Sequence, residues 1–209
     1  MGKQHGRFIV LEGADGCGKS TQAERLIASL TAAGGDVVHV REPGSTTVGE
    51  GVRALLLDRA TGALSARTET LLYLAARAQL VAEVIRPALQ AGRTVVSERW
   101  TLSTEVYQGL AGELGLEAVQ AAAPLAEDGI EPNLVIVLDV GLGEGLARLT
   151  GEPDRMEAKG AEFHARVVEG YRLLASEREH YVCISPGPPD VVASLVLACL
   201  ETFADDERA

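Results

Sequence analysis

The fold is decided near the amino terminus by the stretch Phe8-Ile9-Val10-Leu11-Glu12-Gly13-Ala14-Asp15-Gly16-Cys17-Gly18-Lys19-Ser20. Its first four residues form a continuous apolar run, which is typical of a parallel strand buried on both faces. The glycine-rich part follows the pattern G-x-x-x-x-G-K-[ST], and the residues after it have the apolar spacing of a helix. In this pattern, backbone N–H groups and the helix amino terminus surround phosphate oxygens. The stretch therefore predicts a triphosphate-binding P-loop.

The rest of the chain repeats the alternation of strand and helix. Further apolar runs predict strands at residues 37–40, 94–97, 134–138 and, more weakly, 181–184. Apolar residues at three- and four-residue spacing predict helices at about 19–33, 47–58, 67–90, 102–109, 115–127, 142–149, 159–179 and 190–203. This alternation predicts an α/β fold, in which a five-stranded parallel sheet carries helices on both faces. We expect one domain over residues 1–209, with a short mobile lid at about 150–160.

Composition and charge narrow the class of protein. The 209-residue chain has a formal net charge of −11, which argues against a broad basic face for nucleic acid. Its three cysteines, an odd number without metal-ligand spacing, favour free thiols in a reducing compartment. No segment approaches the ~18 apolar residues of a membrane span, and residues 1–6 lack the apolar core of a signal peptide. We expect a cytoplasmic protein without nucleic-acid or membrane partners.

Several charged residues suit phosphate chemistry. Lys19 is expected to reach the β- and γ-phosphates, and Ser20 to ligate Mg²⁺. Cys17 could be a redox switch, but we favour the interpretation that a small residue is needed in this tight loop. A kinase also needs positive charge around the acceptor and the transferring phosphoryl group, and guanidinium groups match phosphate oxygens. The arginines in suitable positions are Arg41, Arg53, Arg77, Arg99, Arg148 and Arg155.

The order and spacing of these segments resemble thymidylate kinase over nearly the whole chain. Besides the P-loop, the resemblance is carried by Arg41-Glu42-Pro43-Gly44, Ala75-Ala76-Arg77-Ala78-Gln79, Ser97-Glu98-Arg99-Trp100, Tyr107-Gln108-Gly109 and Asp154-Arg155-Met156-Glu157. The resemblance implies the nucleoside monophosphate kinase fold and a homodimer. It also implies an enzyme that transfers the γ-phosphate of ATP to dTMP with Mg²⁺, giving dTDP and ADP.

The resemblance also implies roles for individual residues. Arg53 and Arg99 would bind the dTMP phosphate, Tyr73 would stack on thymine, and Arg77 would hydrogen-bond the base. Tyr107 would crowd the 2′ position of the sugar, and Asp15 would face the sugar and phosphate. Ser103 and Gln108 would complete the base pocket, although Ser103 alone is equally typical of a helix cap. The full expected set for ATP is Gly13, Ala14, Asp15, Gly16, Cys17, Gly18, Lys19, Ser20 and Thr21, and for dTMP it is Asp15, Arg41, Pro43, Arg53, Tyr73, Arg77, Arg99, Ser103, Tyr107 and Gln108.

The chain departs from the family pattern in the loop and after the third strand. Gly16 stands where some members have an arginine, and members of the other kind carry catalytic arginines in the lid. Arg155 is then the favoured catalytic arginine and Arg148 the alternative, beside Lys19 and Glu98. Glu98 stands where the family usually has Asp, and with Ser20 it is the expected metal-side residue. Asp139, at the end of the fourth strand, is a rival carboxylate.

Other functions remain open at this stage. One is a kinase of the same fold that acts on another deoxynucleoside monophosphate. Another is a P-loop ATPase switch that signals to a partner, and a third is a degenerate family member that only binds nucleotide.

Overall fold

The sheet is parallel and has the predicted strands. A computed structural model describes residues 6–112 and 114–206. Residues 1–5, which belong to the segment that lacks the apolar core of a signal peptide, lie outside the described residues. Within these ranges the strands are β1 Phe8–Glu12, β2 Val37–Arg41, β3 Thr94–Glu98, β4 Leu134–Leu138 and β5 Tyr181–Ile184. They pair in the order β2-β3-β1-β4-β5, every pair parallel. The predicted five-stranded parallel sheet is confirmed.

The helices follow the predicted positions, with two interruptions. They are α1 Lys19–Ala32, α2 Thr47–Leu57, α3 Ala66–Leu80, α4 Arg86–Gln90, α5 Thr101–Thr104, α6 Leu116–Glu127, α7 Leu142–Ala147, α8 Ala161–Ser176 and α9 Pro189–Asp206. The helix predicted at 67–90 contains a π-helical segment, Val81–Ile85, because Pro87 has no N–H to donate to the preceding turn. The helix predicted at 102–109 likewise continues from α5 into a π-helical segment, Glu105–Leu110.

Helices cover both faces of the sheet, as predicted. Alternate residues of β1 enter different clusters: Phe8 and Val10 pack on one face, and Ile9 and Leu11 on the other. The first face is covered from α3 to α5 and by α8, through residues that include Leu80, Ile85, Leu102 and Val167. The second is covered by α1 and α9, through Ala23, Leu26, Val192 and Val196. No helix in the described part of the chain is both long and apolar enough to cross a membrane.

The strand register brings the polar loops to one edge of the sheet. Glu98 pairs in register with both Leu11 and Arg41, and Glu12 pairs with Val137. The loops that follow β1, β2, β3, β4 and β5 therefore leave from the same carboxyl edge, where ligands bind in open α/β sheets. The segment 150–160 reaches the end of α2, where the Arg155 N–H donates to the Leu57 carbonyl at 3.0 Å.

Candidate functional site

The larger cavity, here called the donor cavity, lies over the P-loop. It encloses about 690 Å³, within the range of roughly 300–1,000 Å³ that small-molecule sites occupy. Residues 15–22 form one wall. The loop after β5 contributes Ser185, Pro186 and Gly187, and the residue after α7 contributes Arg148. Three separate segments of the chain therefore line this cavity, and the P-loop is one of them.

Lys19 is held against the P-loop backbone. Its Nζ donates to the carbonyls of Gly13 and Ala14, both at 2.9 Å, and lies 3.5 Å from the Cys17 sulfur. Lys19 is also the first residue of α1, and the left-handed Gly18 directly precedes it. The ammonium group and the positive end of the α1 dipole therefore meet at the same cavity wall, which favours an anion there.

Gly16 packs directly on the backbone of α7. Its φ of 75° lies in the left-handed region, and a Cβ at this position would stand 2.0 Å from the Gly145 carbonyl oxygen. Arg148, just beyond α7, donates to the Gly16 carbonyl at 3.2 Å. The Arg148 side chain is 49% exposed, and it also forms an ion pair with Glu144 at 3.9 Å. The loop conformation thus excludes a side chain at position 16 and leaves Arg148 beside the loop.

A short hydrogen-bonded chain lies at the predicted metal side. The Ser20 hydroxyl donates to Glu98 Oε2 at 2.5 Å, and Glu98 Oε1 lies 3.0 Å from His39 Nε2. The rival carboxylate, Asp139, is instead engaged by Arg172 at 3.0 Å. Among the described residues there is no cluster of three or more His, Cys, Asp or Glu side chains that would enclose a metal by itself. The oxygen donors present suit Mg²⁺, which commonly binds through one or two protein oxygens together with substrate phosphates and water.

The smaller cavity, here called the acceptor cavity, adjoins the first. It encloses about 100 Å³ and shares a wall with the donor cavity, formed by Asp15, Glu42, Arg53 and Arg99. Most side chains predicted for the acceptor line it, namely Asp15, Pro43, Arg53, Tyr73, Arg77, Arg99, Ser103, Tyr107 and Gln108. Leu57, Thr104, Asp154 and Met156 also line it, and the sequence did not indicate a role for them.

Arg99 is the centre of the shared wall. It forms an ion pair with Asp15 and donates to Ser103 Oγ at 3.0 Å and to Tyr171 Oη at 3.1 Å. Its guanidinium carbon lies 5.1 Å from the centre of the Tyr107 ring. Burial acts to lower the pKa of Arg99, but the neighbouring Tyr107 and Asp15 raise this pKa well above its ordinary value. Arg99 is therefore a fixed positive charge between the two cavities.

Asp15 carries the matching negative charge. Burial acts to raise its pKa, but Arg99, Lys19 and the hydrogen bond from Tyr107 Oη, at 2.8 Å, bring the pKa below the ordinary value. Asp15 therefore stays ionised and fixes both Arg99 and the Tyr107 ring.

Glu12 is a buried residue for which the sequence suggested no role. The Trp100 and Ser103 N–H groups donate to its Oε1 at 2.7 and 3.1 Å, and the Ser103 hydroxyl donates to Oε2 at 2.6 Å. These bonds fix the turn on which Arg99 adopts a left-handed φ of 75°. A charged residue at the end of a buried apolar strand was a signal that could have identified it.

Arg77 lies at the base of the acceptor cavity in an almost fully buried position. Its Nε donates to Glu42 at 2.8 Å and its Nη2 to Thr104 at 2.9 Å, and the guanidinium lies 5.0 Å from the Trp100 ring centre. Glu42 is a second residue that sequence reasoning missed. Burial raises its pKa, with Arg77 acting in the opposite direction. These contacts fix the direction in which Arg77 presents its remaining N–H groups.

Three further predicted residues line this cavity, namely Tyr73, Arg53 and Gln108. Burial raises the pKa of Tyr73 well above its ordinary value, so its hydroxyl stays neutral. Gln108 donates to Glu69 Oε1 at 2.9 Å, and Arg53 donates to the Pro43 carbonyl at 3.0 Å. Hydrogen bonds thus hold the polar groups of Gln108 and Arg53 in place at the cavity.

Arg155, the favoured catalytic arginine, lines neither of these cavities. It pairs with Glu69 at 2.6 Å and donates to the Leu56 carbonyl at 2.7 Å, and its side chain is 11% exposed. Lys159 approaches the same carboxylate at 2.9 Å. A buried carboxylate requires opposite charge, so Glu69 draws both cations of the lid segment away from the P-loop. The structure brings Arg148, rather than Arg155, to the donor cavity.

Arg41 also differs from its expected place. It lines the donor cavity rather than the acceptor cavity, because its guanidinium turns towards Glu50 of α2, at 3.5 Å. Its side chain is 51% exposed.

Comparisons with known proteins agree on one family. A family model described as thymidylate kinase matches residues 11–194. The thymidylate kinase of Solidesulfovibrio magneticus is 44% identical over 200 residues, covering 90% of this chain and 96% of that protein. That of Geobacter sulfurreducens is 43% identical over 197 residues, covering 90% and 92%. The crystal structure of thymidylate kinase from Ehrlichia chaffeensis, 28% identical, superposes with a TM-score of 0.78 and covers 94% of this chain and 99% of that one.

Proposed function

The chain belongs to the thymidylate kinase family, and on that premise we propose that it transfers the γ-phosphate of ATP to dTMP, with Mg²⁺, giving dTDP and ADP. One observation carries the proposal: the P-loop cavity and the smaller cavity share a wall made of Asp15, Glu42, Arg53 and Arg99. Two nucleotides bound on either side of this wall would bring their phosphates together. Phosphoryl transfer depends mainly on such positioning and on neutralising charge.

On the donor side, the P-loop would hold the ATP phosphates. Of the residues expected to bind ATP, 15–21 line the donor cavity, while Gly13 and Ala14 accept hydrogen bonds from Lys19 behind it. Backbone N–H groups of the loop and the amino terminus of α1 would cradle the phosphates. Ser20 and Glu98 would hold Mg²⁺, which would neutralise charge on the β- and γ-phosphates when bound. The loop after β5 also lines this cavity, and the nucleoside of ATP would extend towards it.

On the acceptor side, Arg53 and Arg99 would bind the dTMP phosphate. Both line the shared wall, and guanidinium groups suit phosphate oxygens. Tyr73 would stack on thymine, with Arg77, Ser103 and Gln108 giving the hydrogen-bonding groups of the pocket. Tyr107, held by Asp15, would crowd the 2′ position of the sugar and so favour deoxyribose.

We assign the catalytic role expected of a lid arginine to Arg148, which lies between α7 and the lid segment. It lines the donor cavity and is half exposed, and within the described residues its guanidinium makes one hydrogen bond, to the Gly16 carbonyl, and a 3.9 Å ion pair with Glu144. The guanidinium can therefore reorient towards the phosphates. Arg155 is buried against Glu69. We expect Arg148→Ala to lower kcat by about 10³-fold, as loss of a transition-state arginine does. Arg155→Ala is the matched control, and we expect it to lower thermal stability more than kcat. A larger kcat loss in Arg155→Ala than in Arg148→Ala would reverse the assignment.

The substrate is tested by comparing acceptors. With MgATP held constant, kcat/KM is measured for dTMP, dUMP, dCMP, dGMP and AMP, and hydrolysis of ATP is measured without acceptor. We expect dTMP to give the highest kcat/KM. A preference for another monophosphate would assign a different acceptor. Slow hydrolysis without transfer would indicate an ATPase switch, and nucleotide affinity without any turnover would indicate a degenerate member.

We further propose that the chain works as a homodimer in the cytoplasm, as a single P-loop domain with a short lid at 150–160. Helix α3 packs against both α2 and α6, and the three helices expose large apolar side chains, among them Leu55, Leu71 and Leu125. A second copy of the chain would remove this surface from water. The three free cysteines suit a reducing compartment.

A further inference from the structure

We propose that His39 is a positioning residue for the metal side of the site, acting through Glu98 on the Ser20 hydroxyl. The inference rests on the proposed use of Mg²⁺ with a nucleotide. It concerns the residues of this chain at the carboxyl edge of β2 and β3, where Glu98 replaces the shorter carboxylate usual at this position.

The strand register explains why His39 reaches Glu98. His39 pairs with Val96, and Arg41 pairs with Glu98, on adjacent parallel strands. Residues two apart on a strand point to the same face, so the His39 and Glu98 side chains are diagonal neighbours on one face of the sheet. Such neighbours are roughly 7–8 Å apart at the backbone, within reach of long side chains. The 3.0 Å contact between His39 Nε2 and Glu98 Oε1 therefore follows from the fold of the sheet.

The two oxygens of Glu98 have different partners. Oε1 meets His39, and Oε2 accepts from the Ser20 hydroxyl at 2.5 Å. A carboxylate oxygen only accepts, so the hydrogen lies on His39 Nε2 in one contact and on Ser20 Oγ in the other. The Ser20 hydrogen then points to Glu98 and the lone pairs of Oγ are free for a cation. Within the described residues, no other hydrogen bond to Glu98 Oε1 is present.

The length of Glu98 is what makes this chain of contacts possible. Glu98 is 11% exposed and lies between a residue of β2 and a residue of α1. An aspartate is shorter by one methylene, about 1.5 Å, and could not keep both contacts at the observed distances. Removal of a group that orients a metal ligand commonly changes metal affinity by about 10–100-fold. We therefore expect removal of His39 to change the affinity for Mg²⁺ measurably.

The experiment measures how much Mg²⁺ strengthens ADP binding, by titration calorimetry with and without Mg²⁺. The proteins are the wild type, His39→Ala, His39→Gln, Glu98→Asp and the double variant His39→Ala/Glu98→Asp. His180→Ala is the matched control, because it removes a histidine whose ring packs on Phe203 rather than meeting Glu98. Thermal unfolding checks that each variant is folded. Because the readout is binding of MgADP, it does not depend on turnover.

We expect His39→Ala to reduce the strengthening by Mg²⁺ about tenfold, while the affinity for metal-free ADP stays the same. His39→Gln should keep most of the effect, because its amide can donate the same hydrogen bond. In the Glu98→Asp background, His39→Ala should change little. An unchanged Mg²⁺ effect in His39→Ala, or an equal loss in His39→Gln, would overturn the inference while leaving the proposed function intact. Absence of any Mg²⁺ effect in the wild type would overturn the proposed metal role and the inference together.

Discussion

Replacement of Gly16 by alanine tests how closely the P-loop depends on α7. A Cβ at position 16 would stand 2.0 Å from the Gly145 carbonyl, whereas real Cβ contacts stay beyond 3.0 Å, so the backbones must separate by 1.0 Å (3.0 − 2.0). The φ of 75° adds a strain of about 1–2 kcal/mol for a residue with a side chain. A misplacement of ~1 Å at a reaction site costs about 100-fold in rate. We therefore expect kcat of Gly16→Ala to fall about 100-fold, equivalent to ~2.7 kcal/mol of lost transition-state stabilisation.

The assay is steady-state transfer from MgATP to dTMP, together with a thermal unfolding curve. Gly62→Ala is the matched control, because Gly62 has φ 74° and no atom within 4 Å of the added Cβ. The strain alone should lower Tm by about 2–8 °C in both variants, at roughly 2–4 °C per kcal/mol for a chain of this size. Only Gly16→Ala should also lose rate. If its kcat lies within threefold of that of Gly62→Ala, the contact with α7 does not set the loop geometry.

Three further predictions address the acceptor wall and the surface. The depressed pKa of Asp15 stabilises the fold at pH values above 3.8, the ordinary pKa, and this contribution is lost as the pH falls through the lower pKa of the folded protein. The unfolding free energies of wild type and Asp15→Asn, measured by urea titration, should therefore converge as the pH falls below 3.8, and a gap constant with pH would contradict this. Tyr73→Leu should raise KM for dTMP about tenfold at similar kcat, because stacking on a base is worth about 1–3 kcal/mol; an unchanged KM would remove Tyr73 from the base site. Leu71→Glu should halve the mass measured by sedimentation, and a wild-type monomer would refute the dimer itself.

The sheet and its binding edge could be predicted because burial leaves a strong pattern in the sequence. Each strand of the described sheet coincides with an apolar run, and β1 leads directly into the P-loop. The helix breaks were harder to predict, since the apolar spacing continues through the π-helical segment before Pro87. In that case the local effect of one proline changes the hydrogen bonding of a helix without changing its buried face.

The site was predicted less completely because long-range charge pairing decides where its arginines point. Arg155 has the sequence context of a lid arginine, but it forms an ion pair with Glu69. Glu69 lies 86 positions earlier in the chain (155 − 69). No role was expected for Glu12 or Glu42, and they act by fixing Arg99 and Arg77 respectively. Which carboxylate meets which arginine depends on packing that spacing alone does not encode.

We expect the ion pair of Arg99 with Asp15 to link the two proposed nucleotide sites thermodynamically. The pair lies in the wall common to both cavities, so a phosphate that draws Arg99 away also changes the charge facing the P-loop. Linkage requires that, if one nucleotide changes the affinity for the other by some factor, the reverse effect has the same factor. We therefore expect a substitution at Arg99 to alter both affinities together.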